Sequence, residues 1–341
     1  MRGQVLMLAC VLGTGVATPA IAYHVVFDAG LAGTTSANYV SVVRCGMIVN
    51  FPSSAGAFLL AGGLGVGASG TTIENGEEVV VTLPAASLGV TYSVSASTNS
   101  DGDGLFGESY VEAFDASDAT LGVRAMSGIG QKNLTNLFGG VPIKKYQITG
   151  GDDTIRVRQL GYDLPAGVVV DSYFALLSAE TFSASSFTQC GVTFRGSPRD
   201  AYLYSYGISV AGGNAEVYVD GDEELEIEFD APVAGAGYTL DDATNVNGGT
   251  LGGHFVEAFD RNGASLGLRS ASGLDPIDLS DPLLFFGDEP ISRFVLIGIA
   301  DQFRLGRVRF VPEPEGAAVT AALALASLGA ARRRLLRISA R

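Results

Sequence analysis

The 341-residue sequence predicts an all-β protein, two tandem antiparallel β-sandwich repeats of jelly-roll-like type, with a removable segment at each end. Three observations predict this class. Tyr110 to Gly128 reads YVEAFDASDATLGVRAMSG and Phe255 to Gly273 reads FVEAFDRNGASLGLRSASG, identical without a gap at 11 of 19 positions, so the body is a duplication. Short alternating stretches are separated by Gly, Asp and Asn turns, the grammar of strands and hairpins. The composition, with 46 Gly, 18 Phe and 12 Tyr, has few helical charge patterns.

In chain order, residues 1–22 come first. Arg2 precedes an apolar run from Val5 to Val16, then breakers and the small-x-small triplet Ala20, Ile21, Ala22. A basic start, a short apolar stretch and such a triplet make a secretory signal, passed through the Sec export machinery and cleaved after Ala22.

The first repeat then occupies 23–165 and the second 166–311. An offset of 145 places Cys45-Gly46 on Cys190-Gly191 and Gly76 on Gly221. A shift of one aligns Val79, Val81, Leu83 and Tyr92 with Leu225, Ile227, Phe229 and Tyr238. Leu137-Phe138-Gly139 matches Phe285-Phe286-Gly287, and Ile143 matches Ile291. Asn262-Gly263 signals a hairpin turn, with Ser117-Asp118 in the same place of the first repeat. Pairing about that turn puts Tyr110, Glu112, Phe114, Leu121 and Val123 on one face, expected to be the core, and Val111, Ala113, Asp115, Thr120 and Arg124 on the other.

Charge narrows the partners. Without residues 1–22 and 316–341 the chain keeps 15 bases against 36 acids, which repels nucleic acid and anionic lipid. The residues assemble no catalytic constellation by spacing, so no enzyme is predicted. His24 and His254 are expected in structural or exposed roles. Glu112 and Glu257 fall between aromatics, where a carboxylate would need a hydrogen bond or carry a raised pKa; a polysaccharide-acting hydrolase would have to be built on them. Tyr202, Tyr204 and Tyr206 alternate on one strand face, either a packing contact or a glycan-binding stripe, and align with Ala57, Leu59 and Ala61. Asn99, Asp101 and Asp103 ahead of Gly104 match the opening of a calcium loop, or else form a solvated turn; calcium is the one cofactor the sequence suggests. An oxidising compartment permits a disulfide between Cys45 and Cys190, but equivalent positions of two repeats meet only near a pseudo-two-fold axis, so the expectation is an unbridged pair.

The last segment, 312–341, carries the most specific pattern. Val311, Pro312, Glu313 and Pro314 precede an Ala/Leu-rich run from Ala317 to Ala331, then Arg332, Arg333 and Arg334. As a helix that run would cover about 22 Å, short of a hydrocarbon core of about 30 Å, so it suits a transient hold on the inner membrane. The motif, short apolar helix and Arg cluster in this order resemble the PEP-CTERM sorting signal, and the body is similar to ectodomains found with it. The resemblance implies recognition and cleavage by an exosortase. It further implies a non-catalytic protein, secreted or on the surface of a Gram-negative-type bacterium, associated with exopolysaccharide or biofilm. A dedicated glycan-binding module is the alternative.

Overall fold

The computed structural model describes residues 23–313 apart from 30–34, 38–39, 53–56, 61, 67–71, 98–104, 165–166, 175–181, 205–206, 211–217, 222, 245–250 and 300. The expected signal segment with Ala20 and Ala22, and the tail from Pro314 through Arg332, Arg333 and Arg334, lie outside the described residues. Among the described residues no helix is long and apolar enough to cross a membrane.

Repeat 1 comprises β1 (Tyr23–Asp28), β2 (Thr35–Ala37), β3 (Ser41–Arg44), β4 (Met47–Asn50), β5 (Ala57–Leu60), β6 (Gly63–Val66), β7 (Glu78–Ser87), β8 (Thr91–Ser97), β9 (Leu105–Phe114), β10 (Thr120–Ser127), β11 (Gly130–Asn133), the short helix α1 (Leu134–Leu137), β12 (Ile143–Thr149) and β13 (Ile155–Leu164). One of its sheets runs β11-β8-β13-β6-β5-β2 with β1 beside β13, the other β10-β9-β12-β7-β4-β3. Every pairing is antiparallel, as hairpin-rich sequences require. The inner faces enclose Val79, Val81, Val111, Tyr146, Ile148, Val157 and Tyr162, all buried. From Glu78 to Leu83 of β7 burial alternates residue by residue, the mark of a strand covered on one face.

Repeat 2 comprises β14 (Val170–Tyr173), β15 (Phe182–Ala184), β16 (Ser186–Gln189), β17 (Val192–Ser197), β18 (Ala201–Tyr204), β19 (Gly207–Val210), β20 (Glu224–Thr244), β21 (His254–Phe259), β22 (Ser265–Ala271), β23 (Ile277–Asp278), β24 (Ile291–Gly298) and β25 (Gln302–Pro312). Its pairing repeats that of the first. Val81 lies opposite Tyr146, and Ile227 opposite Phe294. Tyr92 lies opposite Leu160, and Tyr238 opposite Val308. The counterparts of β7 and β8 are continuous here as the 21-residue β20, which joins both layers into one 12-stranded sheet.

Two sequence expectations about register are corrected. Val111 and Ala113 of β9 are buried in line with Ser109, and Val256 and Ala258 of β21 in line with His254, whereas Glu112 and Phe114 face outward with their copies Glu257 and Phe259. The aromatics are served outside by cations: Lys145 Nζ sits 4.3 Å from the Phe114 ring centroid and the Arg293 guanidinium 4.0 Å from that of Phe259. The small alanines leave inner room for the rings of Tyr146 and Phe294, which lie directly opposite them. Strand β18 is also displaced by one from the sequence alignment. Leu59 pairs with Leu64 as Leu203 pairs with Ile208, so Tyr202 and Tyr204 correspond to Phe58 and Leu60. A single-residue slip exchanges the faces of a strand.

The repeats are clasped to each other. Cys45-Gly46 and Cys190-Gly191 are the turns of the hairpins β3–β4 and β16–β17, with φ of 52° and 73° in one and 60° and 72° in the other. Two consecutive positive φ values make the tight two-residue turn that matches strand twist. The turns meet tip to tip in a Cys45–Cys190 disulfide with Cα atoms 4.8 Å apart. The unbridged expectation is therefore wrong, because the repeats do face each other across a pseudo-two-fold axis: Gly46 N–H donates to Asp171 O at 2.8 Å, and Cys190 N–H donates to Val26 O, the counterpart of Asp171, at 3.0 Å. Tyr162 donates its hydroxyl to Cys45 O at 2.7 Å. Beside the bridge the wholly buried Arg44 donates to Phe174 O and lies over the Phe174 ring. One compact unit spans Ala22–Glu313.

Candidate functional site

The residues singled out by sequence scatter over the body. Asn99, Asp101, Asp103 and Tyr206 lie outside the described residues, and of Tyr204 only the strand position is described. Among the described residues no group of three or more His, Cys, Asp or Glu could hold a metal. Tyr202 is half-buried on the face of β18 opposite the buried Ala201 and Leu203. Glu112 accepts from Thr120 Oγ1 at 2.9 Å and Glu257 from Ser265 Oγ at 2.6 Å, the same cross-strand bond in both hairpins. These carboxylates are outward hairpin fasteners. Val311 and Pro312 are the last residues of β25, opposite Ala234 and Val233, and Glu313 pairs with Arg261 at 3.0 Å. The Val311-Pro312-Glu313 stretch is thus part of the sandwich.

The histidines differ in kind. His24, on β1, brings Nδ1 to 3.0 Å from Asp163 Oδ1 at the surface. His254 is buried: Nε2 lies 2.5 Å from the Tyr238 hydroxyl and Nδ1 2.7 Å from Gly252 O. Burial lowers its pKa, opposed by the bond to the Gly252 carbonyl, and burial pushes the Tyr238 phenol far up. The pair is a closed hydrogen-bonded contact in the core, without access to a substrate.

A concave site appears where sequence reasoning did not look. On the outer face of repeat 2, β20 presents Gly235, Gly237 and Thr239 alongside Val311, Arg309 and Arg307 of β25, and the short β23 with Pro276, Ile277 and Asp278 forms the far wall. The groove measures about 270 Å³. The glycines make it: with no side chains at 235 and 237 a trough opens along the sheet. A Cβ at Gly237 would come within 2.7 Å of Ile277 O, so β23 can close over this strand only at glycine.

The walls carry three charged groups. Arg307 is engaged, its Nε 2.5 Å from Asp171 Oδ1 and its guanidinium 4.5 Å from the Tyr173 ring centroid; the Asp171 hydrogen bonds raise its pKa against partial burial. Asp278 accepts at Oδ1 from the amide and hydroxyl of Ser280, at 2.9 and 2.5 Å. Arg309 is exposed and has no ion-pair partner among the described residues. Its five N–H donors are available at the groove.

Repeat 1 shows what the same place looks like when filled. Gly161 stands where Arg309 does, Thr91 where Gly237 does, and Asp163 where Val311 does, as the shared pairing registers require. The His24 ring and the Thr91 hydroxyl lie over Gly161, and the Asp163 carboxyl lies over Gly89, the counterpart of Gly235. Setting the two repeats side by side in the sequence, with Arg309 against Gly161, is the signal that could have found the groove.

No family model and no curated protein matches the chain. Solved structures do overlap it. Allantoicase from Saccharomyces cerevisiae is 10% identical over 69% of this chain and 76% of its own, with a TM-score of 0.32. A fucolectin from striped bass serum is 9% identical over 84% and 98%, with a TM-score of 0.22. The paired CBM32 domains of Clostridium perfringens ZmpB, solved with GalNAc, are 8% identical over 86% and 90%, with a TM-score of 0.21. These overlays are broad but loose, and the sandwich assignment rests on the strand pairing.

Proposed function

We propose that this chain is an exported, non-catalytic surface or matrix protein, released through an exosortase-type system and associated with extracellular polysaccharide. The observation that carries the proposal is the Cys45–Cys190 bridge. Disulfides persist in oxidising compartments, and this one closes 145 residues of chain between equivalent turns of two repeats. The N-terminal signal pattern and the PEP-CTERM resemblance supply the route. The acidic body and outward-facing carboxylates suit a solvated exterior.

Intact-mass measurement on protein from producing cells tests the route. The expected mass begins at Tyr23 and ends near Pro314; a mass retaining Ala317–Arg341 contradicts the sorting step. Retention of the mature protein on exopolysaccharide from the same cells tests the association, and passage straight through the matrix contradicts it. The glycan-binding alternative gains support from the groove on repeat 2.

A further inference from the structure

We infer that the groove bounded by Gly235, Gly237, Pro276 and Arg309 binds one carboxylated sugar, a uronic-acid residue, with Arg309 holding the carboxylate. The saccharide part of this inference rests on the function proposed above. The carboxylate part rests on the groove alone.

The argument begins with size. At about 270 Å³ the site falls just below the range of about 300–1,000 Å³ typical of clefts for drug-sized ligands, which fits a single pyranose rather than an extended chain. Its walls are mixed. Pro276, Ile277 and Val311 offer an apolar surface for the C–H face of a sugar ring, and the glycine floor lets the ring approach the backbone of β20. Asp278 is anchored at Oδ1 by Ser280, leaving carboxylate lone pairs to accept from ring hydroxyls.

Charge then selects among sugars. Arg307 is neutralised by Asp171, and the Asp278 carboxylate makes the groove no place for a second acid unless Arg309 takes it. A planar guanidinium with free parallel donors is suited to a bidentate carboxylate, a match that a neutral sugar leaves unused. Beyond Pro276–Asp278 a neighbouring hollow of about 400 Å³ is lined by Asp275, Asp278 and Asp281. It repels a carboxylate, so the ligand is directed to the Arg309 side. In repeat 1 the equivalent place is occupied by His24 and Thr91 and has Gly161 in place of the arginine, so one site per chain is expected there.

Calorimetric titration of the purified mature protein with glucuronate, glucose and acetate, alongside Arg309→Gln and Arg309→Lys, decides the matter. Glucuronate should bind, glucose and acetate should bind at least about tenfold more weakly, and Arg309→Gln should lose at least about tenfold in affinity, the usual worth of a charge-assisted hydrogen bond. Arg309→Lys should fall between, since it keeps the charge and loses the fork. Unchanged melting temperatures in both variants exclude misfolding as the cause. Acetate binding as tightly as glucuronate overturns the sugar; glucose binding equally, or an indifferent Arg309→Gln, overturns the carboxylate. Failure to bind glucuronate by a protein still retained on exopolysaccharide overturns the groove and leaves the proposed function standing, whereas loss of that retention strikes the function itself.

Discussion

The two repeats share their inner faces and diverge on their outer ones. Inside, Ile148 and Leu296, Val81 and Ile227, and Tyr92 and Tyr238 occupy matched, buried positions in matched registers. Outside, repeat 1 sets Asn50, Val80 and Thr82 where repeat 2 builds a network in which Arg195 bridges Glu226 and Glu228, and Arg293 joins it at Glu226. The filled cleft at His24 and the open one at Arg309 are a second instance. Packing constrains the inner face to within a methylene, while a solvated face tolerates substitution at little cost. A new site in a duplicated protein therefore arises where one copy opens what the other fills.

The comparison makes predictions of graded size. Ile148→Ala and Leu296→Ala each remove a fully buried branched side chain from equivalent positions and should each cost about 2–5 kcal/mol, with similar values for the two repeats. Chemical denaturation of both variants measures this; a large loss in one repeat and a negligible one in the other would break the equivalence of the cores. Next, Cys45→Ser with Cys190→Ser should lower stability by about 2–4 kcal/mol, because the bridge restricts the unfolded chain. The variant's melting curve should also separate into two transitions as the clasp between repeats weakens.

A histidine effect between pH 7 and pH 5 should belong to repeat 2. The folded pKa of His254 is depressed by burial, so below the unfolded value of about 6.5 the unfolded chain binds a proton that the folded one refuses. Stability is then fully present above that pH and declines as pH falls from about 6.5 towards the folded pKa. The counterpart in repeat 1 is Ser109, which accepts from Gly151 N–H and does not titrate. Unfolding free energies at pH 7 and pH 5 should show a loss in wild type that His254→Ser removes; a loss surviving in the variant assigns the effect elsewhere.

The smallest effect is the most symmetrical. Asp115 Oδ1 accepts from the Ser117 and Ala119 amides and the Ser117 hydroxyl, and Asp260 Oδ1 accepts from the Asn262 and Ala264 amides. These bonds lower both carboxyl pKa values, in Asp115 chiefly through Ser117 and in Asp260 chiefly through Ala264. Asp115→Ala and Asp260→Ala should each lower the melting temperature slightly and equally, with the difference from wild type vanishing as pH falls below the carboxylate range. Unequal losses would show that one hairpin is held by something other than its turn.

Much of the fold could be read in the chain because strand grammar is local. The duplication, the Phe-Asp hairpins and the apolar positions of β7 and β20 all follow from residues near in sequence. Facing was harder. Hydrophobicity alone sends Phe114 and Phe259 inward, yet Lys145 and Arg293 wait for them outside, and Ala113 and Ala258 go in because Tyr146 and Phe294 need the space. The bridge was mistaken because nothing local to Cys45-Gly46 tells that its turn points at its own copy. The groove depends on what β25 sets beside two glycines of β20, a relation between residues about 70 apart that shows in the sequence only when Arg309 is set against Gly161 of the other repeat. Tyr202 and Tyr204 were aligned one residue out, so that their counterparts in repeat 1 are Phe58 and Leu60.

Thiol labelling tests most directly the proposal that the body is exported and clasped by its own duplicated turns. Protein recovered from the exterior of producing cells would be unfolded in denaturant, alkylated without reductant and mapped by mass. Cys45 and Cys190 should take no label until reductant is added, and Cys10 should be absent if residues 1–22 are removed as proposed. Full labelling of both cysteines before reduction, or recovery of the protein only from the cell interior, would contradict the proposal.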